Sequence, residues 1–299
     1  MEIIEEIKRL KREKNAIILA HNYQIPAVQD VADYVGDSLG LSIQASATDA
    51  DIIVFCGVFF MAETAKILSP QKKVLIPDYN AGCPMANMIN ASQLRDLKAK
   101  HPEAKVLCYV NTTAEVKAEC DLCCTSANAV RMVTDVLRDE KEIIFVPDKY
   151  LADYVSTQTC RNFIVWKGFC PTHVKILAED ILKQKSLHPE AEVIVHPECT
   201  PPVIEVADKV ASTEGMCKYA GESKAKEFII ATETGIIHRL RRENPDKVFY
   251  PASELAVCPN MKLTTLEKVL WSLQRLEHEV TVPEEIIARA KQSIQRMLG

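Results

Sequence analysis

The stretch Ala16-Ile-Ile-Leu-Ala-His21-Asn-Tyr23 has two counterparts later in the 299-residue chain, namely Ala104-Lys-Val-Leu-Cys-Tyr109-Val-Asn111 and Ala191-Glu-Val-Ile-Val-His196-Pro-Glu198. Tyr109 lies 88 residues after His21, and His196 lies a further 87 residues along the chain. A period of this length is too long for a solenoid unit and is typical of a small domain. The chain is therefore predicted to contain three homologous domains.

Each repeat alternates short apolar, β-branched segments with helical patterns, which is typical of βαβ units and a parallel sheet covered on both faces. About four strands are expected per repeat, and in the first repeat they are predicted over residues 16–20, 34–36, 51–57 and 73–77. Terminal helices are predicted over residues 3–14 and 263–276. The predicted fold is α/β, with three α/β/α sandwich domains arranged around a pseudo-threefold axis and an active site at the centre. The predicted domains are 1–84 plus 259–299, 85–171, and 172–258.

Composition excludes several classes of protein. With 47% hydrophobic and 26% charged residues, the chain is typical of a globular protein. Its longest apolar run, residues 52–62, is too short for a membrane span, and its N-terminus mixes charges of both signs, unlike a secretory signal. We therefore expect a cytoplasmic location and no membrane partner. Because 41 acidic residues outnumber 36 basic ones, small-molecule substrates are expected rather than nucleic acid.

Three sets of polar residues recur at equivalent positions. One set follows the first predicted strand of each repeat, a second follows the second strand, and a third closes each repeat as a Cys-Pro pair. Ligands of open parallel sheets bind beyond the carboxyl ends of the strands, so all three sets should meet at one central cavity. The sets are His21, Tyr109 and His196; Ser38, Ser126 and Thr213; and Cys83, Cys170 and Cys258.

The Cys-Pro pairs are the most informative of these sets. Each precedes a helical stretch, whose positive end would favour a thiolate. The spacing of about 87 residues excludes a local zinc site, so a shared metal must lie between domains. Three thiolates in threefold positions suit one 4Fe-4S cluster with a single open iron, which can act as a Lewis acid in a dehydration. The alternative is that the pairs are remnants of gene triplication without a shared ligand.

The remaining repeated positions supply general acids, bases and hydroxyl groups. Proton transfer is assigned to His21, Tyr23, Tyr109, His196 and Glu198. The hydroxyl groups of the second set either cap helices or, beside free helical N–H groups, bind a carboxylate or phosphate. The C-x-x-C of Cys120, Cys123 and Cys124 is interpreted as buried packing, and the repeated Asp33, Asp121 and Asp208 as turn or capping residues.

These motifs together resemble the quinolinate synthase family. The matching segments run from residue 19 to residue 258 and cover all three repeats. They are Leu19-Ala-His-Asn-Tyr-Gln24, Gly36-Asp-Ser38, Cys83-Pro-Met85, Tyr109-Val-Asn111, Thr125-Ser-Ala-Asn128, Cys170-Pro-Thr-His173, His196-Pro-Glu-Cys199, Thr232-Glu-Thr-Gly235 and Ala256-Val-Cys258.

The resemblance implies an enzyme of NAD biosynthesis that condenses iminoaspartate with dihydroxyacetone phosphate, releasing phosphate and two waters to form quinolinate. It implies that the three Cys-Pro cysteines hold a 4Fe-4S cluster, and that an aspartate-oxidising enzyme supplies the imine. Ser38, Ser126, Thr213 and Ser212 would hold carboxylates and phosphate, Tyr109 and Asn111 would orient iminoaspartate, and His173 would lie near the cluster and substrate.

Two other functions remain open at this stage. A three-cysteine cluster could serve redox sensing or electron transfer, but a sensor would not need the repeated proton-transfer residues. The chain could also be a zinc-dependent or metal-free α/β enzyme, which iron and sulfide analysis would distinguish.

Overall fold

The computed structural model describes residues 2–298 and contains three four-stranded sheets, each entirely parallel. Within every sheet the strands follow the spatial order second, first, third, fourth. The first sheet consists of β1 (Ala16–His21), β2 (Tyr34–Gly36), β3 (Ile52–Cys56) and β4 (Lys73–Leu75); the second of β5 (Lys105–Tyr109), β6 (Leu122–Cys124), β7 (Ile143–Val146) and β8 (Ile164–Val165); the third of β9 (Glu192–Val195), β10 (Lys209–Val210), β11 (Glu227–Ala231) and β12 (Val248–Pro251). The predicted α/β fold with three parallel sheets is confirmed.

Helices flank these sheets and connect their strands. They are α1 (Glu2–Glu13), α2 (Pro26–Val31), α3 (Ser38–Ala47), α4 (Phe59–Leu68), α5 (Ala91–Lys100), α6 (Ala114–Lys117), α7 (Ala129–Arg131), α8 (Lys149–Thr159), α9 (Ala178–Leu187), α10 (Pro201–Glu205), α11 (Thr213–Glu222), α12 (Ile236–Glu243), α13 (Leu266–Arg275) and α14 (Glu284–Leu298). Within residues 2–298, no helix is both long enough and apolar enough to cross a membrane.

Alternation along the strands divides the core between the two faces of the sheet. In β1, Ile18 packs in an apolar cluster with Leu10 of α1 and Leu273 of α13. The neighbouring Leu19 points to the opposite face and belongs to a larger cluster that continues to Phe145 of the second sheet. Successive strand residues point to opposite faces, so a sheet covered on both sides has apolar residues at every position. This explains why the strands appear in the sequence as continuous apolar runs.

The three repeated aspartates have a structural role, but the predicted turn or capping role is wrong, because each carboxylate contacts a neighbouring strand. Each carboxylate accepts a hydrogen bond, 2.8 Å long in every case, from a backbone N–H of the first strand of its repeat. The pairs are Asp33 with Ile18, Asp121 with Val106, and Asp208 with Val193. The same contact at equivalent positions supports a common origin for the three units.

The Cys-Pro pairs lead into short 3-10 helices rather than longer α-helices. These are Met85–Met88, His173–Lys175 and Asn260–Leu263. Pro84 and Pro259 adopt helical backbone angles directly before the helix, as expected for a residue without an N–H to donate. The terminal helix predicted over 263–276 begins as α13 at Leu266, because Leu263 belongs to the 3-10 helix and the Thr265 side chain caps α13 by accepting from Lys268 N.

The last helix, α14, was not predicted, because it has no counterpart in the other repeats. It contacts α4 of the first unit and both α6 and β6 of the second. Its Met297 carbonyl accepts a hydrogen bond from Asn128 Nδ2 at 3.1 Å, and Asn128 Oδ1 accepts one from Thr125 N at 2.8 Å. The boundary that places this helix with the first domain stays a prediction.

A buried carboxyl group lies where the first and second units meet. Glu63 of α4 accepts a hydrogen bond from the backbone N–H of Ala114, at 3.2 Å from its Oε2. Burial raises the pKa of Glu63 to about 7, although the nearby Lys117 opposes the shift. The native protein therefore holds a proton on Glu63 between pH 4.5 and 7, where an unfolded glutamate is ionised.

We expect Glu63→Gln to stabilise the protein increasingly as pH rises. In the wild-type protein, the contribution of Glu63 to the free energy of unfolding falls between pH 4.5 and 7 and is constant above pH 7. Glutamine stays neutral and keeps an oxygen that accepts a hydrogen bond from the Ala114 N–H. The free energy of unfolding of the variant relative to wild type should increase by about 2–3 kcal/mol from pH 5 to pH 8. Chemical denaturation at both pH values checks this. The exposed Glu103→Gln serves as control, and an equal pH response of both variants would contradict the prediction.

Candidate active site

The carboxyl ends of the strands in all three sheets face one cavity. Every predicted site residue except Ser212 lines it: His21, Tyr23, Ser38, Cys83, Tyr109, Asn111, Ser126, Cys170, His173, His196, Glu198, Thr213 and Cys258. The geometry thus brings the three repeated sets together, as the repeat pattern predicts.

The three cysteines of the Cys-Pro pairs share one local geometry. Burial raises the pKa of each thiol, that of Cys83 to about 12. Backbone N–H groups two and three residues after each cysteine oppose this rise in pKa, because they stabilise the thiolate. These groups belong to Met85 and Ala86, Thr172 and His173, and Asn260 and Met261.

This donor set fits a bound metal or iron–sulfur cluster. A cation would offset the cost of burying thiolates, and the N–H groups are placed to stabilise their charge. The ligand atoms of Cys170, His173 and Glu198 also lie within 4.8 Å of one another, so a metal could be held there too. The C-x-x-C cysteines do not line the cavity within the described part of the chain; Cys123 and Cys124 lie in the buried strand β6, in agreement with the packing interpretation.

Glu198 is the centre of the polar part of the cavity. Tyr109 Oη donates a short hydrogen bond to its Oε1, and His173 Nδ1 lies 2.8 Å from its Oε2. The His173 contact is close enough for an ion pair but is not aligned as a hydrogen bond. Burial opposes ionisation of Glu198, but the two neighbouring histidines, His173 and His196, and the Tyr109 hydroxyl outweigh it and hold the pKa below its usual value. The carboxylate is therefore charged at neutral pH.

His21 and His196 occupy equivalent positions and make equivalent contacts. Each Nδ1 accepts a hydrogen bond from the backbone N–H two residues further on, at 3.2 Å from Tyr23 and 3.3 Å from Glu198. Burial lowers the pKa of both histidines to about 3, so both are neutral at pH 7. A neutral imidazole that accepts at Nδ1 carries its proton on Nε2. Both rings can therefore donate from Nε2.

Tyr23 is a protonated phenol held by two neighbours. Its Oη lies 2.6 Å from Thr232 Oγ1 and 3.4 Å from His173 Nε2. Burial raises the pKa of Tyr23, and the negative charge of Glu198 adds to the shift. The phenol is thus a proton donor at neutral pH.

The hydroxyl set offers donors for binding an anion, whereas Asn111 offers an acceptor for a ligand N–H or O–H group. Asn111 Oδ1 is buried and finds no hydrogen-bond partner within residues 2–298. Ser38 and Thr213 are the first residues of α3 and α11, whereas the helix caps are the residues before them: Asp37 accepts from Gly40 N and Ser212 from Gly215 N. The capping interpretation of Ser38 and Thr213 is therefore wrong. Ser126 lies in the turn before α7.

Several residues near the cavity were missed at the sequence level. Asp37 and Thr125 line it and occupy the position equivalent to Ser212, so the repeat itself contained a signal for them. Thr232, which contacts both Tyr23 and His173, follows β11 and has no polar counterpart in the other repeats. The repeat pattern contains no signal for Thr232, whereas the family segment Thr232-Glu-Thr-Gly235 includes it.

The ion pair between Glu233 and Lys262 holds two backbone segments that line the cavity. Glu233 is fully buried and accepts hydrogen bonds from Cys258 N at 3.1 Å and Gly235 N at 2.7 Å. Lys262 Nζ lies 2.8 Å from Glu233 Oε1 and donates to the Tyr23 carbonyl at 2.5 Å. The backbone positions of Tyr23 and Cys258 therefore depend on one shared set of contacts.

Comparisons with known proteins agree with this geometry. A family described as "Quinolinate synthetase A protein" matches residues 5–299. The quinolinate synthase of Methanosarcina barkeri is 56% identical over 298 residues, which is 100% of this chain and 97% of the relative. The quinolinate synthases of Dehalococcoides mccartyi and Thermodesulfovibrio yellowstonii are each 55% identical over 296 residues, or 99% of this chain and 97% of each relative.

Proposed function

This chain belongs to the quinolinate synthetase A family and has a quinolinate synthase function in NAD biosynthesis, and from this we propose its substrates, cofactor and site residues. The reaction is the condensation of iminoaspartate with dihydroxyacetone phosphate to quinolinate, with release of phosphate and two waters. The observation that carries the proposal is the meeting of three Cys-Pro cysteines with ionised Glu198 at one cavity.

We assign Cys83, Cys170 and Cys258 as the ligands of one 4Fe-4S cluster. Their shared geometry and the N–H groups near each sulfur support the assignment. Such a cluster, when bound through three cysteines, has one iron without a protein thiolate and supplies a Lewis acid suited to dehydration.

Substrate anions are bound by hydroxyl groups and helix ends. The cavity lining found within residues 2–298 includes no lysine or arginine, so carboxylates and phosphate depend on dipoles and O–H donors. Ser38 and Thr213 begin α3 and α11, where free N–H groups add to their hydroxyls. Ser126 contributes from the second unit, and Ser212 acts as the cap that holds the start of α11. Asn111, with its free Oδ1, and Tyr109 orient the iminoaspartate part.

Proton transfer is divided among groups in different charge states. Glu198 is ionised and serves as the base, with its Oε1 close to the Tyr109 proton. Tyr23 holds a phenolic proton to donate. His21 and His196 present Nε2–H donors that polarise substrate oxygens, and His173 keeps Tyr23 and Glu198 in place.

The cofactor is tested by metal and sulfide analysis of anaerobically purified protein. We expect about four irons and four sulfides per chain in wild type, with the matching electron paramagnetic resonance signal after reduction. Cys170→Ala should lose the cluster, whereas Cys160→Ala, at an exposed cysteine, should keep it. Stoichiometric zinc, or an iron-free protein after reconstitution, would overturn the proposed cofactor. A redox-active cluster without quinolinate formation would favour the sensor alternative.

The proposal also covers the source of iminoaspartate and the cellular location of the enzyme. Iminoaspartate is unstable in water, so an enzyme that oxidises aspartate is the proposed source. We place both in the cytoplasm, where thiols stay reduced and a cluster can be assembled.

A further inference from the structure

Arg239, Asn22 and Thr213 are connected in series by hydrogen bonds. Arg239 and Thr213 belong to the third unit, and Asn22 of the first unit lies between them. Arg239 of α12 donates from Nη1 to Asn22 Oδ1 at 3.0 Å. Asn22, which follows β1, donates from Nδ2 to Thr213 Oγ1 at 2.9 Å. All three side chains are buried, and Thr213 lines the cavity. The series thus ends at a hydroxyl that faces the substrate site.

The chemistry of arginine fixes the direction of every hydrogen bond in this series. A guanidinium has only donors, so the Asn22 atom that faces Arg239 must be the amide oxygen. The Asn22 NH₂ group must then face Thr213, and it too has only donors. The Thr213 oxygen is therefore an acceptor in this contact, and its own proton is free to point elsewhere.

Arg239 is itself held firmly enough to impose this direction. Glu214 binds its two terminal nitrogens at 2.7 and 3.0 Å, and Glu243 accepts from its Nε at 2.7 Å. Both acids are partly exposed, whereas the guanidinium is largely buried. A bidentate pair of this kind restricts the rotation of the guanidinium. The Asn22 amide consequently has one favourable orientation.

We infer that Arg239 and Asn22 are positioning residues that make the Thr213 hydroxyl an obligatory donor into the cavity. Within the described part of the chain, Asn22 is the hydrogen-bond partner of Thr213 Oγ1, so the hydroxyl proton is available to a ligand. A site with a fixed donor selects a ligand oxygen that only accepts, namely that of a carboxylate or phosphate. The inference rests on the proposed function, in which Thr213 holds such a group.

Asn22→Asp reverses the last hydrogen bond with almost no change in shape. The carboxylate still accepts from Arg239, which keeps the fold, but its second oxygen now accepts the Thr213 proton. The hydroxyl then presents lone pairs to an anionic ligand. Loss of one hydrogen bond to a charged group should weaken quinolinate binding by about 10- to 100-fold. In turnover, KM should rise by a similar factor while kcat changes less.

A double-mutant cycle separates this effect from simple repulsion by the new charge. Calorimetric titration of quinolinate into the holoenzyme is compared for wild type, Asn22→Asp, Thr213→Val and the double variant. The inference predicts that Asn22→Asp has little further effect once the hydroxyl is removed. An equal loss in the Thr213→Val background would show that charge repulsion is the cause and would overturn the inference.

The other outcomes distinguish this inference from the proposed function. If Thr213→Val binds quinolinate like wild type, the assignment of Thr213 to substrate fails. If Thr213→Val weakens binding but Asn22→Asp does not, the positioning role fails alone. Should Asn22→Asp not fold, Arg239→Met removes the group that fixes the amide. Arg239→Met should weaken quinolinate binding severalfold, because the Thr213 hydroxyl would no longer be fixed as a donor. Unchanged binding would contradict the inference.

Discussion

Glu198→Gln is expected to lower kcat by about 10²- to 10⁴-fold while the protein keeps its fold and its iron content. Glutamine has nearly the same shape, so the cavity wall is preserved. It has no negative charge, however, and its NH₂ group donates where a carboxylate oxygen accepts. The glutamine oxygen could still accept from Tyr109, but its NH₂ group would face His173 Nδ1 and could not accept a proton there.

The pH dependence of Glu198 gives this prediction a second observable. Its lowered pKa means that the ionised form is favoured in the native state. The resulting stabilisation is fully present above pH 4.5 and is lost as pH falls through the lowered native value. Glutamine does not titrate. The free energy of unfolding of Glu198→Gln should therefore not show the fall below pH 4.5 that protonation of Glu198 causes in the wild-type protein.

Steady-state kinetics and iron analysis on the same preparation check the prediction. The conservative Glu198→Asp is a suitable comparison, because it keeps the charge but shortens the side chain. Turnover of Glu198→Gln within tenfold of wild type, with the cluster intact, would remove Glu198 from the role of base. Loss of iron instead would show that this carboxylate supports the cluster rather than proton transfer.

The fold was predictable because the repeat supplied three independent versions of the same pattern. Strand β1 was predicted over 16–20 and is observed over Ala16–His21, and β2 was predicted with its observed bounds. Apolar alternation fixed these elements, since both faces of each sheet are covered. Helix α14 was missed because it occurs once and packs across two units. Its place depends on tertiary contacts that no local pattern records.

The same distinction explains which site residues could be predicted. His21, Ser38 and Cys83 have counterparts of related chemistry one period away, so their meeting at a centre follows from symmetry. Asn22 corresponds to Val110 and Pro197, so the repeat contains no signal for it. Its role arises from the contact with Arg239, 217 residues away in sequence. Such asymmetric contacts between units require the three-dimensional structure.

Gly235→Ala should inactivate the enzyme through a single added methyl group. A Cβ at this position would lie 2.8 Å from Glu233 Oε2, from Lys262 Nζ and from the Tyr23 carbonyl carbon. The backbone angles of Gly235 are ordinary for alanine, with φ −61° and ψ −26°, so the cost is steric and not conformational. Overpacking of this kind costs roughly 1–3 kcal/mol of stability.

The functional loss should exceed the loss of stability, because the displaced atoms hold the site. Lys262 and Glu233 fix the Tyr23 carbonyl and the Cys258 N–H, so moving them shifts both a proton donor and a cluster ligand. A displacement of about 1 Å at reacting groups can cost on the order of 10²-fold in rate. We expect at least that loss in kcat, together with faster release of iron to a chelator.

Gly221→Ala is the matched control, since it adds the same methyl group within α11 where the nearest heavy atom is Asn244 Oδ1 at 3.9 Å. A helical alanine at an open position should stabilise the protein by about 0.5–1 kcal/mol and leave activity unchanged. Differences in iron retention and kcat between the two variants therefore report on the contacts of Glu233 and Lys262 alone. If Gly235→Ala behaved like Gly221→Ala, Glu233 and Lys262 would only stabilise the fold, and the placement of Tyr23 and Cys258 would depend on other contacts.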